Sequence, residues 1–215
     1  MIHTCNKRNW YVEKYLIPSL LEQGIKEEDI INWVDIDNNG NLKSCLESFN
    51  SCKDISDGTW HLQDDVIISS NFKQLTEEHN DGIVCGFVND VIGPDINKVG
   101  IVNVKDMWLS FPCIRIPNKL AIEFVNWFNT VAVHTDKYKE RIKNNKSDDW
   151  FFRKFLKTTK YKNTNVLNLK PNIVNHIDYL LGGSVANSAR KESRMSCYWT
   201  ENNLVEELER RIKNG

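Results

Sequence analysis

Residues 58–72 read GTWHLQDDVIISSNF, and the fold of the chain turns on this stretch. Trp60, Leu62 and the run Val66-Ile67-Ile68 flank Gln63, Asp64 and Asp65. An apolar run bounded by Gly58 and by a Ser69-Ser70-Asn71 cap predicts a buried strand running into a helix. Carboxylates at the end of a buried strand are costly to desolvate unless a cation or several hydrogen bonds answer them. A divalent cation does so, and carboxylate oxygens are the ligands that magnesium and manganese prefer. The pair Asp64–Asp65 therefore predicts a site for a metal ion and a diphosphate. Two acids in a solvated turn or in a first helical turn are the plain alternative.

Working outward toward the N-terminus, Met1–Cys5 predicts a short strand ending in the polar turn TCNKRN. Tyr11, Tyr15, Leu16 and Leu20 follow at helical spacing within Trp10–Gln23, interrupted by Pro18. KEEDIINWVDID predicts a helix-strand passage closing on Asp35 and Asp37, and after Gly40 the segment Leu42–Phe49 predicts a further helix. Strand-helix alternation through the first 65 residues predicts an α/β unit with a mostly parallel sheet. Ligands of such sheets bind at the carboxyl ends of the strands. The turns at Thr4–Arg8, Asp35–Gly40 and Gln63–Asp65 are thus expected to open on one edge.

Downstream, DGIVCGFVND and VKDMWLSFPCIRIP predict two more strands. Asn118 is expected to cap the helix KLAIEFVNWF, with Leu120, Phe124, Trp127 and Phe128 on one apolar face. Residues 136–162 hold ten Lys or Arg against four acids, and include the second acid pair, SDDWFFRKFLK. There Ser147 reads as an N-cap, Asp148 and Asp149 as first-turn acids, and Phe151, Phe152 and Phe155 as the inward face. NVLNLKPNIVNHIDYLLGGSVAN predicts a strand, a proline turn, a lone His176 and a break at Gly182-Gly183; a basic tail from Ser188 ends in a helix.

With 215 residues, a net charge of −1 and 40 % hydrophobic content, the chain is expected to form one domain with a large core. No stretch approaches the roughly 18 apolar residues of a membrane span. MIHTCNKRNWY lacks an apolar signal core. The six cysteines are scattered without a Cys-x-x-Cys pair, which predicts free thiols in a reducing, cytoplasmic setting. A near-neutral charge argues against nucleic-acid binding driven by bulk charge.

DIDNNGNLKSCLE imitates a calcium loop, with Asp35, Asp37, Asn39 and Gly40 on its first, third, fifth and sixth positions. Leu46 falls where the bidentate glutamate is required, and Glu47 arrives one residue late, so the loop is degenerate.

Taken in order, IHTCNKRNWYV (2–12), WVDIDNNG (33–40), HLQDDV (61–66), SDDWFF (147–152) and KPNIVNHID (170–178) resemble small nucleotide-sugar-dependent glycosyltransferases of the GT-A fold. Such enzymes are found in bacteria and their phages. The chain departs from their DxD motif at its first acid, which is Gln63 here. The resemblance implies a Rossmann-like, GT-A-like single domain over 1–215. Residues 1–105 would bind the nucleotide sugar, 106–187 would form the acceptor and catalytic side, and 188–215 a basic tail and helix. It implies Mn2+ or Mg2+ held by Asp65 and His176. Thr4, Arg8, Asp35 and Asp64, with Asp37 as a weaker candidate, would contact the nucleotide sugar, a UDP-sugar by preference. From the tail, Arg190, Lys191 and Arg194 would fold over the diphosphate.

The implied chemistry is transfer of a sugar to an acceptor hydroxyl, of a glycan or of a modified nucleobase. Asp149 is the first candidate for the general base of an inverting transfer and Asp148 the second. Two other classes suit the same residues. One is a non-catalytic α/β interaction module with a degenerate calcium loop; the other is a magnesium-dependent phosphoryl-transfer enzyme.

Overall fold

The computed structural model describes residues 1–55, 57–88, 100–104, 110–144, 148–158, 160–183, 196 and 198–214. The stretch that opened the sequence splits in two. Gly58–Gln63 forms β3, Asp64 and Asp65 make a turn, and Val66–Ile68 forms a separate strand, β4, before helix α4 (Phe72–Glu78). The expected strand-to-helix run is therefore a strand, a turn and a second strand. Val66 and Ile68 are buried, so apolar pattern alone does not reveal where the chain changes sheets.

Seven strands build the main sheet. They are β1 (Ile2–Cys5), β2 (Asn32–Asp35), β3, β5 (Ile83–Cys85), β6 (Gly100–Asn103), β7 (Cys113–Pro117) and β8 (Asn165–Asn168). Their order is β2-β1-β3-β7-β5-β8-β6. β1 is parallel to both β2 and β3, and β5 is parallel to β8. β7 runs antiparallel between β3 and β5, and β6 is antiparallel to β8. The sheet is thus mixed, with five strands in one direction and β7 and β6 reversed. A two-stranded antiparallel sheet pairs β4 with β9 (Val174–His176).

Side chains alternate across strands, and both faces of the main sheet are covered, as α/β layering requires. On one face Ile83, Cys85, Ile114 and Ile116 pack against α3 (Asn41–Ser51), α5 (Asn118–Trp127) and α7 (Asp148–Leu156). Phe151, Phe152 and Phe155 all point inward there, as the spacing predicted. On the other face Ile2, Leu62, Val84 and Cys113 meet the first helical passage and α8 (Asn202–Asn214).

That first passage is continuous but uneven: α1 (Asn9–Tyr11), a π-helical turn (Val12–Leu16) and α2 (Ile17–Glu22). Pro18 follows the π-helical turn directly; it has no N–H to donate back into this continuous helix, and the wide turn before it relieves the clash of the ring with the preceding carbonyls. Asn118 does not cap α5. It is the first helical residue, buried, and its side chain accepts from Thr59 Oγ1 at 2.8 Å and donates to the Ile55 carbonyl at 3.3 Å. The short helix α6 (Lys139–Lys143) carries part of the basic tract. Ser147, Arg190, Lys191 and Arg194 lie outside the described residues. No described helix is long and apolar enough to cross a membrane.

Candidate functional site

Because β1, β2 and β3 are parallel, the turns after them open on one edge, as predicted. Arg8 follows β1 through a turn closed by its N–H on the Cys5 carbonyl (2.9 Å). Its side chain is 4 % exposed. A guanidinium so desolvated requires carboxylates, and it finds both acids of the β3 turn. Nη1 donates to Asp64 Oδ1 at 3.1 Å and also to Asp65 Oδ2, while Nη2 donates to the Gly183 carbonyl. Asp64 takes two further bonds on Oδ2, from Thr4 Oγ1 at 3.0 Å and from the Cys5 N–H at 3.3 Å. Asp64 thus ties the β1 turn to the β3 turn.

Asp65 faces the other way as well. β4 and β9 pair with Val66 opposite His176, and the Ile177 N–H donates to the Asp65 carbonyl at 2.8 Å. Tyr11 locks the same place from α1, its hydroxyl donating to the Val66 carbonyl at 2.8 Å. This ladder brings His176 Nε2 to 3.1 Å from Asp65 Oδ1, and His176 Nδ1 lies 3.3 Å from Asp178 Oδ1. The small sheet makes that approach, and nothing local in either segment announces it. Asp178 is 1 % exposed and was not among the predicted site residues. No strand alternation announces it, because the chain leaves the extended conformation at Ile177 (φ −123°, ψ 24°) and Asp178 opens the helical turn that follows.

The charges perturb one another in understandable directions. Burial acts to raise the Asp65 pKa, but His176 and Arg8 outweigh it and hold this carboxyl well below the usual range. Asp64 is pushed up to about 6, by burial first and by the Asp65 charge second. Burial acts to lower His176, yet Asp65 and Asp178 carry it up to about 9.

Whether these residues suit a divalent ion can be judged from charge and spacing. Three carboxylates against one guanidinium and a His176 held protonated leave one uncompensated negative charge, and a cation binding there would release the His176 proton. Asp65 Oδ1 is buried and makes no hydrogen bond of good geometry. Two ligand atoms on adjacent corners of an octahedral shell with magnesium-type bond lengths lie roughly 3 Å apart, close to the separation of Asp65 Oδ1 and His176 Nε2. Among the described residues no three His, Cys, Asp or Glu side chains are grouped as ligands. Asp65 and His176 fit as two donors of a shell completed by water and phosphate oxygens, which is how magnesium is usually bound.

Asp35 ends β2 beside Cys5 in register, but its carboxylate closes its own loop. The Asn39 N–H donates to Oδ1 at 2.9 Å and the Gly40 N–H to Oδ2 at 3.0 Å. Gly40, at φ 87°, takes a conformation that glycine favours. Asn6 Nδ2 bridges from the β1 turn to the Ile36 carbonyl at 2.9 Å. Asp37 is exposed. A strand rather than a helix enters this loop, and Glu47 lies on the outer face of α3 near Lys43, at 3.8 Å. The loop is not built as an EF-hand.

Asp148 and Asp149 open α7, as expected. They lie beside Cys45 of α3, whose thiol burial pushes up and whose pKa both acids raise further. Asp149 Oδ1 accepts the Trp150 N–H at 2.6 Å, and its charge acts on Arg153. Asp148 is pushed up to about 7, by burial and then by the charge of Asp149.

Compared with protein-family models and with curated proteins, the chain matches none.

Proposed function

We propose that the protein is a divalent-cation-dependent glycosyltransferase that moves a sugar from a nucleoside diphosphate to an acceptor hydroxyl. The observation that carries this reading is the meeting of Asp65 and His176 at 3.1 Å, at the strand edge where α/β sheets bind nucleotides. Thr4 and Arg8 stand beside it on the β1 turn. The fold and the five ordered motifs support a GT-A-like assignment in particular.

In this reading Asp65 and His176 hold Mn2+ or Mg2+, which when bound supplies Lewis-acid neutralisation of the diphosphate leaving group. Arg8 keeps Asp64 and Asp65 ionised and adds fixed positive charge beside the diphosphate. Thr4 and Cys5 hold Asp64 in place, and the Asp35 loop frames the base and ribose. At the acceptor side, Asp149 takes the hydroxyl proton as the new C1–O bond forms and the C1–O bond to the diphosphate breaks, with Asp148 as the second candidate. The two carboxyls stand together at the start of α7 and titrate as a pair.

The test is a screen of UDP-sugars with and without Mn2+, reading thermal shift and nucleotide release. The proposal expects a Mn2+-dependent shift and slow release of UDP with free sugar. Release of UMP instead indicates phosphoryl-transfer chemistry. A chain indifferent to every donor in the presence of Mn2+ is the outcome that overturns the reading.

A further inference from the structure

Asp178 has no role in the reading above, yet it is the most buried of the acids around Arg8 and His176, at 1 % exposure. A carboxylate in that setting is costly unless it is matched. It opens the turn Asp178–Leu181 directly after β9. Its backbone is pinned, because the Gly183 N–H donates to the Asp178 carbonyl at 2.8 Å. The position of His176 is equally determined. Its backbone is paired with Val66, its N–H donates to Asn175 Oδ1 at 3.0 Å, and the Phe87 ring lies 6.3 Å from the imidazole. Between these two fixed points, Asp178 Oδ1 stands 3.3 Å from Nδ1, on the side of the ring opposite Asp65.

A neutral imidazole carries one proton, and the hydrogen bond made by one nitrogen decides which nitrogen keeps its lone pair. We infer that Asp178 is a positioning residue for His176: from 3.3 Å its carboxylate would accept the Nδ1 proton when a cation displaces the proton of Nε2, fixing the ring and directing the Nε2 lone pair at the space beside Asp65 Oδ1. This role rests on the metal-dependent reading proposed above and adds to it the group that makes His176 competent as a ligand. Loss of such a carboxylate behind a ligating histidine typically weakens metal binding 10- to 100-fold.

The experiment titrates the full chain with Mn2+ alone, following the free ion by electron paramagnetic resonance. The parent, Asp178→Ala and Asp178→Asn are compared, with melting temperature and the ring 15N shifts of His176 recorded on the metal-free proteins. Asp178→Ala is expected to bind Mn2+ about 10- to 100-fold more weakly and to alter the His176 ring shifts. Asp178→Asn, whose amide oxygen still accepts from Nδ1, is expected to fall between parent and alanine variant. A merely structural acid would change melting temperature without this order in Mn2+ affinity. If the alanine variant does not fold, the asparagine variant decides, and weaker Mn2+ binding by a folded Asp178→Asn supports the role. Parental Mn2+ affinity in a folded variant overturns the positioning role and leaves the proposed function standing. A parent that binds no Mn2+ overturns the metal reading and this role together.

Discussion

One guanidinium serves two carboxylates at the centre of the site, and a single residue decides their cost. Arg8 is buried with Asp64 and Asp65, so removing it leaves two acids that water reaches only at their edges. Breaking such a pair from one side costs about 3–5 kcal/mol. Arg8→Met is therefore expected to lose stability on that scale in urea unfolding, and to regain part of it when Mn2+ is added. Equal stability of variant and parent would show that the network is not coupled to folding. Asp65→Asn keeps the shape but removes the charge that attracts the ion. It should remain folded and lose Mn2+-dependent UDP binding, and unchanged binding would sink the site assignment. For the second acid pair, Asp149→Asn should transfer sugar at least ~100-fold more slowly with donor affinity nearly intact, the scale of a lost general base, and Asp148→Asn is the comparison that separates the two candidates. In the parent, kcat should fall on the acid side of pH 7 as this coupled pair takes up a proton. Near-parental turnover in both variants would reduce these acids to a helix cap.

At the scale of elements, a chain of polar groups joins β1, β3 and α3 beneath the site. Ser48 Oγ donates to the Cys45 carbonyl at 2.8 Å, so it accepts from His3 Nδ1, 3.1 Å away. His3 Nε2 then accepts from His61 Nδ1 at 2.8 Å, which leaves His61 Nε2 bare and buried. Both imidazoles are thereby held neutral. Burial pushes His3 down to about 3 and His61 well below its ordinary value. The sign of the pH effect follows directly. Above pH 6.5 folded and unfolded chains are both neutral at these positions. Below it the unfolded chain gains protons that the folded one refuses, so stability falls. His61→Phe removes one such group next to Phe49, whose ring centroid is 4.6 Å away. The stability difference between parent and variant should move in the variant's favour by about 2 kcal/mol from pH 7 to pH 5. A pH-independent difference in denaturant unfolding would mean that His61 is accessible to protons in the folded state.

Over the whole molecule, charge is unevenly shared. Residues 136–162 carry ten basic and four acidic side chains, which leaves eighteen basic against twenty-five acidic elsewhere. Part of the basic set gathers on one ring, with Arg141 and Lys154 at 4.4 and 4.9 Å from the centroid of Trp150. A local positive field of this kind acts on polyanions even when net charge is slightly negative. The chain should therefore be retained on heparin at low salt. Arg141→Glu with Lys154→Glu should elute at clearly lower salt, and unchanged elution would mark the tract as ordinary solvated surface.

Local pattern in the chain carried a good deal of this. Helical spacing placed α3, α5 and α7 and the inward phenylalanines, and strand-turn alternation put Thr4, Arg8, Asp35 and the acid pair on one edge, because period and turn chemistry are properties of neighbours in sequence. The sequence did not show β6, the reversal of β7 between β3 and β5, or the break of residues 58–72 into two sheets. Strand partners are chosen by packing across the whole core, and a buried apolar run looks alike in either sheet. The same holds at the site. Sequence alone determined that Asp64 and Asp65 would need a positive partner, since burying carboxylates demands one. Only the tertiary structure decided that Arg8, 56 residues earlier than Asp64, holds them, and that β9 delivers His176 and, just beyond it, Asp178 to the same place. Those encounters are set by the closure of the chain on itself, which no local spacing encodes.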